Sequence, residues 1–255
     1  MPRNNRQYSE IKVYHVIIRG INKQNIFLDD DDKIKFLKIL NQTKEKYEYE
    51  IYAYCLMSNH IHIVIYDKIN KLSTIMQSIE ISYSLYFNKK YSRIGHLFQN
   101  RFLSKKVEDR NYFMQVCRYI HKNPLKAGIA KTEEYKWSSF REYIGKAFIS
   151  NCEKLLSVFS NNELEAKKYF IQFHNISSDK EIHELFEFEM EEKINDEQLK
   201  KYISELVEMD NIYKIIELNK KERNEILRKI KKTKGITSVQ IARVLGINRK
   251  IVERA

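Results

Sequence analysis

The chain has 255 residues, 43% of them hydrophobic, and a net charge of +12. That is enough apolar material for one large domain, or for a domain with a smaller companion. The three cysteines, Cys55, Cys117 and Cys152, form no Cys-x-x-Cys pair, which argues against a disulfide framework or zinc ribbon and for a reducing, cytoplasmic setting. No run reaches the ~18 apolar residues of a membrane span, and the polar start from Pro2 to Lys12 lacks the apolar core of a signal peptide, so no membrane partner is expected. Charge is unevenly spread: residues 1–150 carry 26 Lys+Arg against 15 Asp+Glu, residues 151–219 carry 8 against 16, and residues 220–255 carry 12 against 3. This pattern predicts a domain over 1–150, an acidic helical spacer over 151–219 and a basic unit over 220–255. Basic blocks favour polyanions, above all nucleic acid, although a solvated lysine-rich surface has the same composition.

Val13 to Arg19 is β-rich and ends at Gly20, a turn signal. Asp29 to Asp32 suit the positive end of a helix whose stripe is Ile34, Leu37, Ile39 and Leu40. Consecutive carboxylates diverge around a helix start, which favours capping over metal binding there. Tyr49 to Leu56 reads as a second strand, Met57-Ser58-Asn59 as a turn, and His60 to Tyr66 as the hairpin partner. In that last strand Ile61, Ile63 and Ile65 alternate with His60, His62 and Val64, so both imidazoles share one side of the sheet while the isoleucines face helices. Two neutral imidazoles so placed can hold a divalent cation, but a lone His-x-His equally lines a half-exposed sheet. Leu72 to Lys89 repeats apolar residues at helical steps. Arg93 to Phe102 is a loop mixing aromatic and basic groups, suited to bases and phosphates, before a strand from Phe102 to Val107.

Asp109 caps a helix from about Asn111 to Asn123, which Pro124 should end because the residue before proline avoids the α region. Tyr119 and Asn123 lie about 40° apart on this helix and share a face, whereas His121 is turned by about 200° and points elsewhere. If the helix crosses the histidine face, a phenol, an amide oxygen and two imidazoles converge. Oxygen plus imidazole with open positions suits Mg²⁺ or Mn²⁺ better than structural zinc. Arg101, Lys105, Lys106 and Arg118 are candidates for contacts to a DNA backbone, and Arg118 reads equally well as a surface residue.

Four stretches in this order resemble the REP-associated tyrosine transposases, of the IS200-like branch of the HUH single-strand nucleases. They are His60-Ile61-His62, Gly95 to Phe102, Tyr119 to Gly128 (Tyr-Ile-His-Lys-Asn-Pro-Leu-Lys-Ala-Gly) and Trp137-Ser138-Ser139-Phe140, and the similarity covers about residues 8 to 145. The resemblance implies an α+β fold, an antiparallel sheet flanked by helices in the ferredoxin-like arrangement. It also implies an Mg²⁺ or Mn²⁺ cofactor, Tyr119 as the single nucleophile, and His60, His62 and Asn123 as metal ligands. The chemistry fits the residue types. A tyrosine oxygen can displace a 3′-oxygen from a phosphodiester and hold the 5′-phosphate covalently.

The acidic stretch from Cys152 to Leu218 reads as helical. Phe159 to Glu163 looks like a capped start, and the Phe170–Phe173 and Leu185–Phe188 patches suggest amphipathic helices. In the tail, Arg223 to Lys232 forms a basic helix ended by Lys234-Gly235. Thr237-Ser238 then caps Val239 to Leu245, and Gly246 turns into Asn248 to Ala255. This all-α region fits a helix-turn-helix and resembles the C-terminal DNA-binding domain of the replication initiator DnaA, with Asn248, Arg249, Lys250 and Arg254 on the groove side. The alternative is a helical hairpin packed on the spacer.

The expected protein is a metal-dependent single-stranded DNA endonuclease and strand transferase, monomeric or homodimeric, acting on hairpin-containing DNA. The competing expectation is a DNA-binding regulator that keeps the nuclease fold without cleavage. A zinc hydrolase acting on small molecules is disfavoured, since no further ligand stands at zincin-like spacing.

Overall fold

The computed structural model describes residues 9–176, 196–207, 211–233 and 236–255. The chain divides into two compact units, Met1–Glu187 and Phe188–Ala255. In the first, β1 (Val13–Arg19), α1 (Asp30–Tyr47), β2 (Glu50–Leu56), β3 (His60–Tyr66), α2 (Leu72–Lys90) and β4 (Leu103–Val107) follow one another as a split βαβ pair. The strands form one antiparallel sheet in the order β2-β3-β1-β4. Helix α1 starts where the sequence placed it. Asp29 accepts from the Asp32 backbone N–H at 3.0 Å while the Asp32 carboxylate reaches back to Asp29, a reciprocal capping box. Asp67 plays the same part for α2, accepting from the amides of Lys71 and Leu72 at 2.9 and 2.7 Å.

The sheet buries both faces. Ile61, Ile63 and Ile65 pack with Phe36, Leu40, Ile75, Met76 and Ile79 of α1 and α2. The opposite face, with Val64 and Val107, lies under α3 (Arg110–Lys126), α4 (Phe140–Ile144), α5 (Cys152–Leu156) and α6 (Glu163–Asn175). A register shift between Ile51 and Ala53 sets Ala53 opposite Val64 and Cys55 opposite His62.

Two features differ from the sequence reading. Helix α3 does not stop at Asn123 but runs through buried Pro124 to Lys126. Proline sits so near the helix end that its missing N–H costs a single bond, and Ala127 N–H still closes on the Asn123 carbonyl at 3.0 Å. The acidic stretch 151–219 is also not one spacer. Leu155, Leu156, Ala166 and Phe170 of α5 and α6 belong to the first unit's core, while Leu199, Ile203, Ile212 and Ile215 belong to the second unit's. Apolar faces decided the division, and the net charge of the stretch did not reveal it.

The second unit contains α7 (Asp196–Val207), a 3₁₀ turn (Ile212–Ile216), α8 (Lys220–Lys231), α9 (Ser238–Leu245) and α10 (Arg249–Arg254) around Leu227, Ile230, Ile241, Leu245 and Val252. Thr237 caps α9, Gly246 ends it in the left-handed region at φ 68°, and Asn248 caps α10. The Leu185–Phe188 patch and the Lys234-Gly235 helix end lie outside the described residues. Among the described residues no helix is long and apolar enough to cross a membrane.

Candidate active site

The site is built where α3 lies across the histidine-bearing face of the sheet. Strand pairing sets Arg19 of β1 opposite His60 of β3, and Ile17 opposite His62, so the side chains of these pairs share one face. The His60 and His62 rings stand 5.0 Å apart, nearly perpendicular. His60 Nδ1–H donates to Asn59 Oδ1 at 2.6 Å. His62 Nδ1 is 3.1 Å from Nε2 of His15, a third imidazole supplied by β1. Burial, aided by the Arg19 charge, pulls the His60 pKa down to about 4. Burial, with His60, His15, Arg19 and Lys126 adding to it, holds His62 well below its ordinary value. Both are therefore neutral near pH 7, with ring lone pairs available.

From above, α3 presents Tyr119, 5% exposed, with its ring edge-on to His62 at 5.5 Å and to His15 at 6.1 Å between centroids. Asn123, one turn on, donates from Nδ2 to the Tyr119 carbonyl at 2.9 Å, and its side chain is in hydrogen-bond contact with His60. The extra turn past Pro124 puts Lys126 on the same face, its ammonium 4.7 Å from the Tyr119 ring centroid. His121 points the other way, as its position on the helix requires. It lies between His174 of α6 (2.9 Å) and Ser139 Oγ (2.8 Å).

These residues fit a divalent ion. Each imidazole of the pair already has Nδ1 engaged, which leaves Nε2 to ligate, and Asn123 can add an amide oxygen. Among the described residues no group of three or more His, Cys, Asp or Glu gathers into a closed cage, so any ion held here would rest on two nitrogens and an amide oxygen with positions left open.

The remaining sequence candidates divide. Lys105 lies opposite His15 on the histidine side, whereas its neighbour Lys106 lies opposite Tyr14, is exposed and pairs with Glu108 at 3.5 Å. Arg101 is exposed beside a groove of about 540 Å³ lined also by Glu80, Leu85, His96 and Gln99. Arg118 is neither a surface residue nor placed to meet a DNA backbone. It is 2% exposed, stacks on Phe173 at 4.7 Å and donates to the Phe173 carbonyl at 3.2 Å. With Lys122, which donates to the Ile176 carbonyl at 3.4 Å, it satisfies the negative end of α6. In the second unit Asn248, Arg249, Lys250 and Arg254 are all exposed. Asn248 spends its oxygen capping the Lys250 amide, and Arg249 pairs with Glu253 at 2.6 Å.

Sequence reasoning missed His15, Arg19 and Lys126. Parity along β1 would have grouped His15 with Arg19, but joining them to His60 and His62 needs the β1–β3 register. Lys126 was hidden by ending the helix at Pro124.

A two-histidine, one-tyrosine cluster thus lies between an antiparallel sheet and a crossing helix in a domain of the α+β class. Residues 8–123 match the family model described as IS200-like transposase. Among solved structures, it is similar to a REP-associated tyrosine transposase bound to a REP hairpin (17% identity, TM-score 0.49), over 57% of this chain and 87% of that one. It is also similar to a candidate transposase from Deinococcus radiodurans R1 (15% identity, TM-score 0.34), over 47% of this chain and 96% of that one. No curated protein matches the chain.

Proposed function

We propose that the protein is a metal-dependent single-stranded DNA endonuclease and strand transferase in which Tyr119 forms a covalent 5′-phosphotyrosine. The observation that carries this reading is the Tyr119 ring set against His62 at 5.5 Å, within one chain. The Tyr119 oxygen attacks a phosphodiester phosphorus, the P–O3′ bond breaks, and the departing 3′-oxygen takes up a proton to leave a 3′-hydroxyl. Attack of a 3′-hydroxyl on the phosphotyrosine reverses the step, joins a strand and returns the phenol. A free phenol has a pKa near 10 and is a weak nucleophile at neutral pH. The Lys126 ammonium over the ring, with Arg19, offers positive charge to a phosphate entering beside the histidines. His60, His62 and Asn123 would hold Mg²⁺ or Mn²⁺, which when bound neutralises phosphate charge and eases departure of the 3′-oxygen.

The DNA is single-stranded and carries a hairpin in this reading, supported by the family match and by the basic first domain. Lys105 and Arg101 would contact its backbone. The exposed Asn248, Arg249, Lys250 and Arg254 of the second unit, on a capped helical pair ending in a six-residue helix, support a helix-turn-helix that adds duplex affinity.

Incubation with labelled single-stranded hairpin DNA and Mn²⁺, followed by a denaturing gel, tests the reading. A protein-linked fragment is expected from the unsubstituted chain and none from Tyr119→Phe, with DNA retention unchanged. An undiminished adduct from Tyr119→Phe would remove Tyr119 from its role. Retention without any cleavage would favour the regulator instead.

A further inference from the structure

Behind the histidine pair lies the third imidazole, and it is fully buried. His15 stacks on His62 with ring centroids 5.3 Å apart and planes 25° apart. Strand register places His15 opposite Val64, two pairs along from the Ile17–His62 rung and on the same face, so the two rings meet diagonally across the sheet. Their nitrogens, His15 Nε2 and His62 Nδ1, are 3.1 Å apart.

Two neutral imidazoles in this contact share one proton, and its position decides what His62 can do. If His62 carries it on Nδ1, its Nε2 keeps a lone pair directed away from His15. If His15 carries it on Nε2, neutral His62 must be protonated at its own Nε2 and cannot ligate through that atom. We propose that His15 is a positioning residue that accepts from His62 Nδ1–H, fixing the tautomer and ring angle that leave Nε2 free for the divalent cation. This rests on the metal reading above. A second partner of this kind is what metal-ligating histidines ordinarily require, and its loss costs affinity although it never touches the ion. A neutral imidazole fits the position better than a carboxylate would. It orients His62 without adding a buried charge to a site that must also admit a phosphate.

The test compares His15→Gln, whose Oε1 can reach the place of Nε2 and accept, with His15→Met, which fills the space and accepts nothing. Mn²⁺ uptake by the full chain without DNA is followed by electron paramagnetic resonance, and Trp137 fluorescence checks folding. Met is expected to weaken Mn²⁺ binding by about 10- to 100-fold and Gln to restore most of the loss. Nitrogen-15 NMR of the metal-free, unsubstituted protein is expected to show His62 as the Nδ1–H tautomer. Full uptake by His15→Met, equal losses in the two variants, or an Nε2–H tautomer of His62 would overturn the assignment. Absence of Mn²⁺ uptake by the unsubstituted chain would instead overturn the metal reading beneath it, and the tautomer would still report on the His15 contact.

Discussion

Acid should unfold the first unit through the histidines on the far side of α3, and His174→Leu measures how strongly. His174 Nδ1–H donates to the Phe170 carbonyl at 2.8 Å, its Nε2 accepts from His121 Nδ1–H at 2.9 Å, and His121 Nε2 accepts from Ser139 at 2.8 Å. With both rings neutral every bond in this line is made, and a proton added to both would set two N–H groups against each other. Burial drives the His174 pKa down to about 3 and that of His121 well below its ordinary value. The unfolded chain therefore binds more protons than the folded one below about pH 6.5, and stability present above that pH is lost as pH falls toward 3. At pH 5 the loss is about 2 kcal/mol for His174, a large part of the ordinary ~5–15 kcal/mol of a domain, and His121 adds to it in the same direction. His174→Leu removes one of these sites. It should cost about 1–3 kcal/mol at pH 7, because the His121 N–H loses its acceptor, and about 2 kcal/mol less than that at pH 5. The single tryptophan, Trp137, lies in the core of this unit, so urea titrations followed by its fluorescence at pH 7, 6 and 5 read the unit directly. A destabilisation independent of pH would refute the reasoning, since it would mean that His174 takes up its proton in the folded state as readily as in the unfolded one.

Lys126→Met removes the cation over the Tyr119 ring and should slow adduct formation by about tenfold to a hundredfold, with Mn²⁺ uptake undiminished, as single-turnover gels and titration would show. Arg118→Met should lower stability by about 1.5–3 kcal/mol in the Trp137 titration, because the charged cap of α6 is lost. The slope of DNA affinity against salt should not move with it, and a slope shallower by about one would return Arg118 to the DNA interface.

That the histidine pair shares one face of a strand, and the tyrosine and the amide one face of a helix, was legible because each signal was local: alternation in a strand, and one turn of a helix. The α1 cap and the α9–Gly246–α10 turn were legible for the same reason. What escaped was set by partners distant in sequence. His15 joins His62 across 47 positions through strand register. Arg118 is a basic residue on a helix in a basic domain, and nothing near it in sequence announces that the carbonyl of Phe173, 55 residues on, will bury it. Pro124 misled in the opposite direction, since a local rule about the residue before proline was outweighed by the packing of the proline itself.

Those non-local contacts give α3 two faces with different tasks. One carries Tyr119, Asn123 and Lys126 toward the imidazoles. The other sets Arg118, His121 and Lys122 against α6, and each of the three finds a partner there: the Phe173 carbonyl, His174 and the Ile176 carbonyl. The family match ends at residue 123, so α6 lies beyond it, yet α6 fixes the height and rotation of the helix that bears Tyr119. A phenol displaced by about 1 Å loses its line of attack. Polar anchoring can hold that tolerance where apolar packing alone would permit rotation, because a turn of α3 would strand His121 and Arg118 without partners in the interior. In the proposed reaction the acidic stretch would thus act through its first half, by fixing where α3 lies.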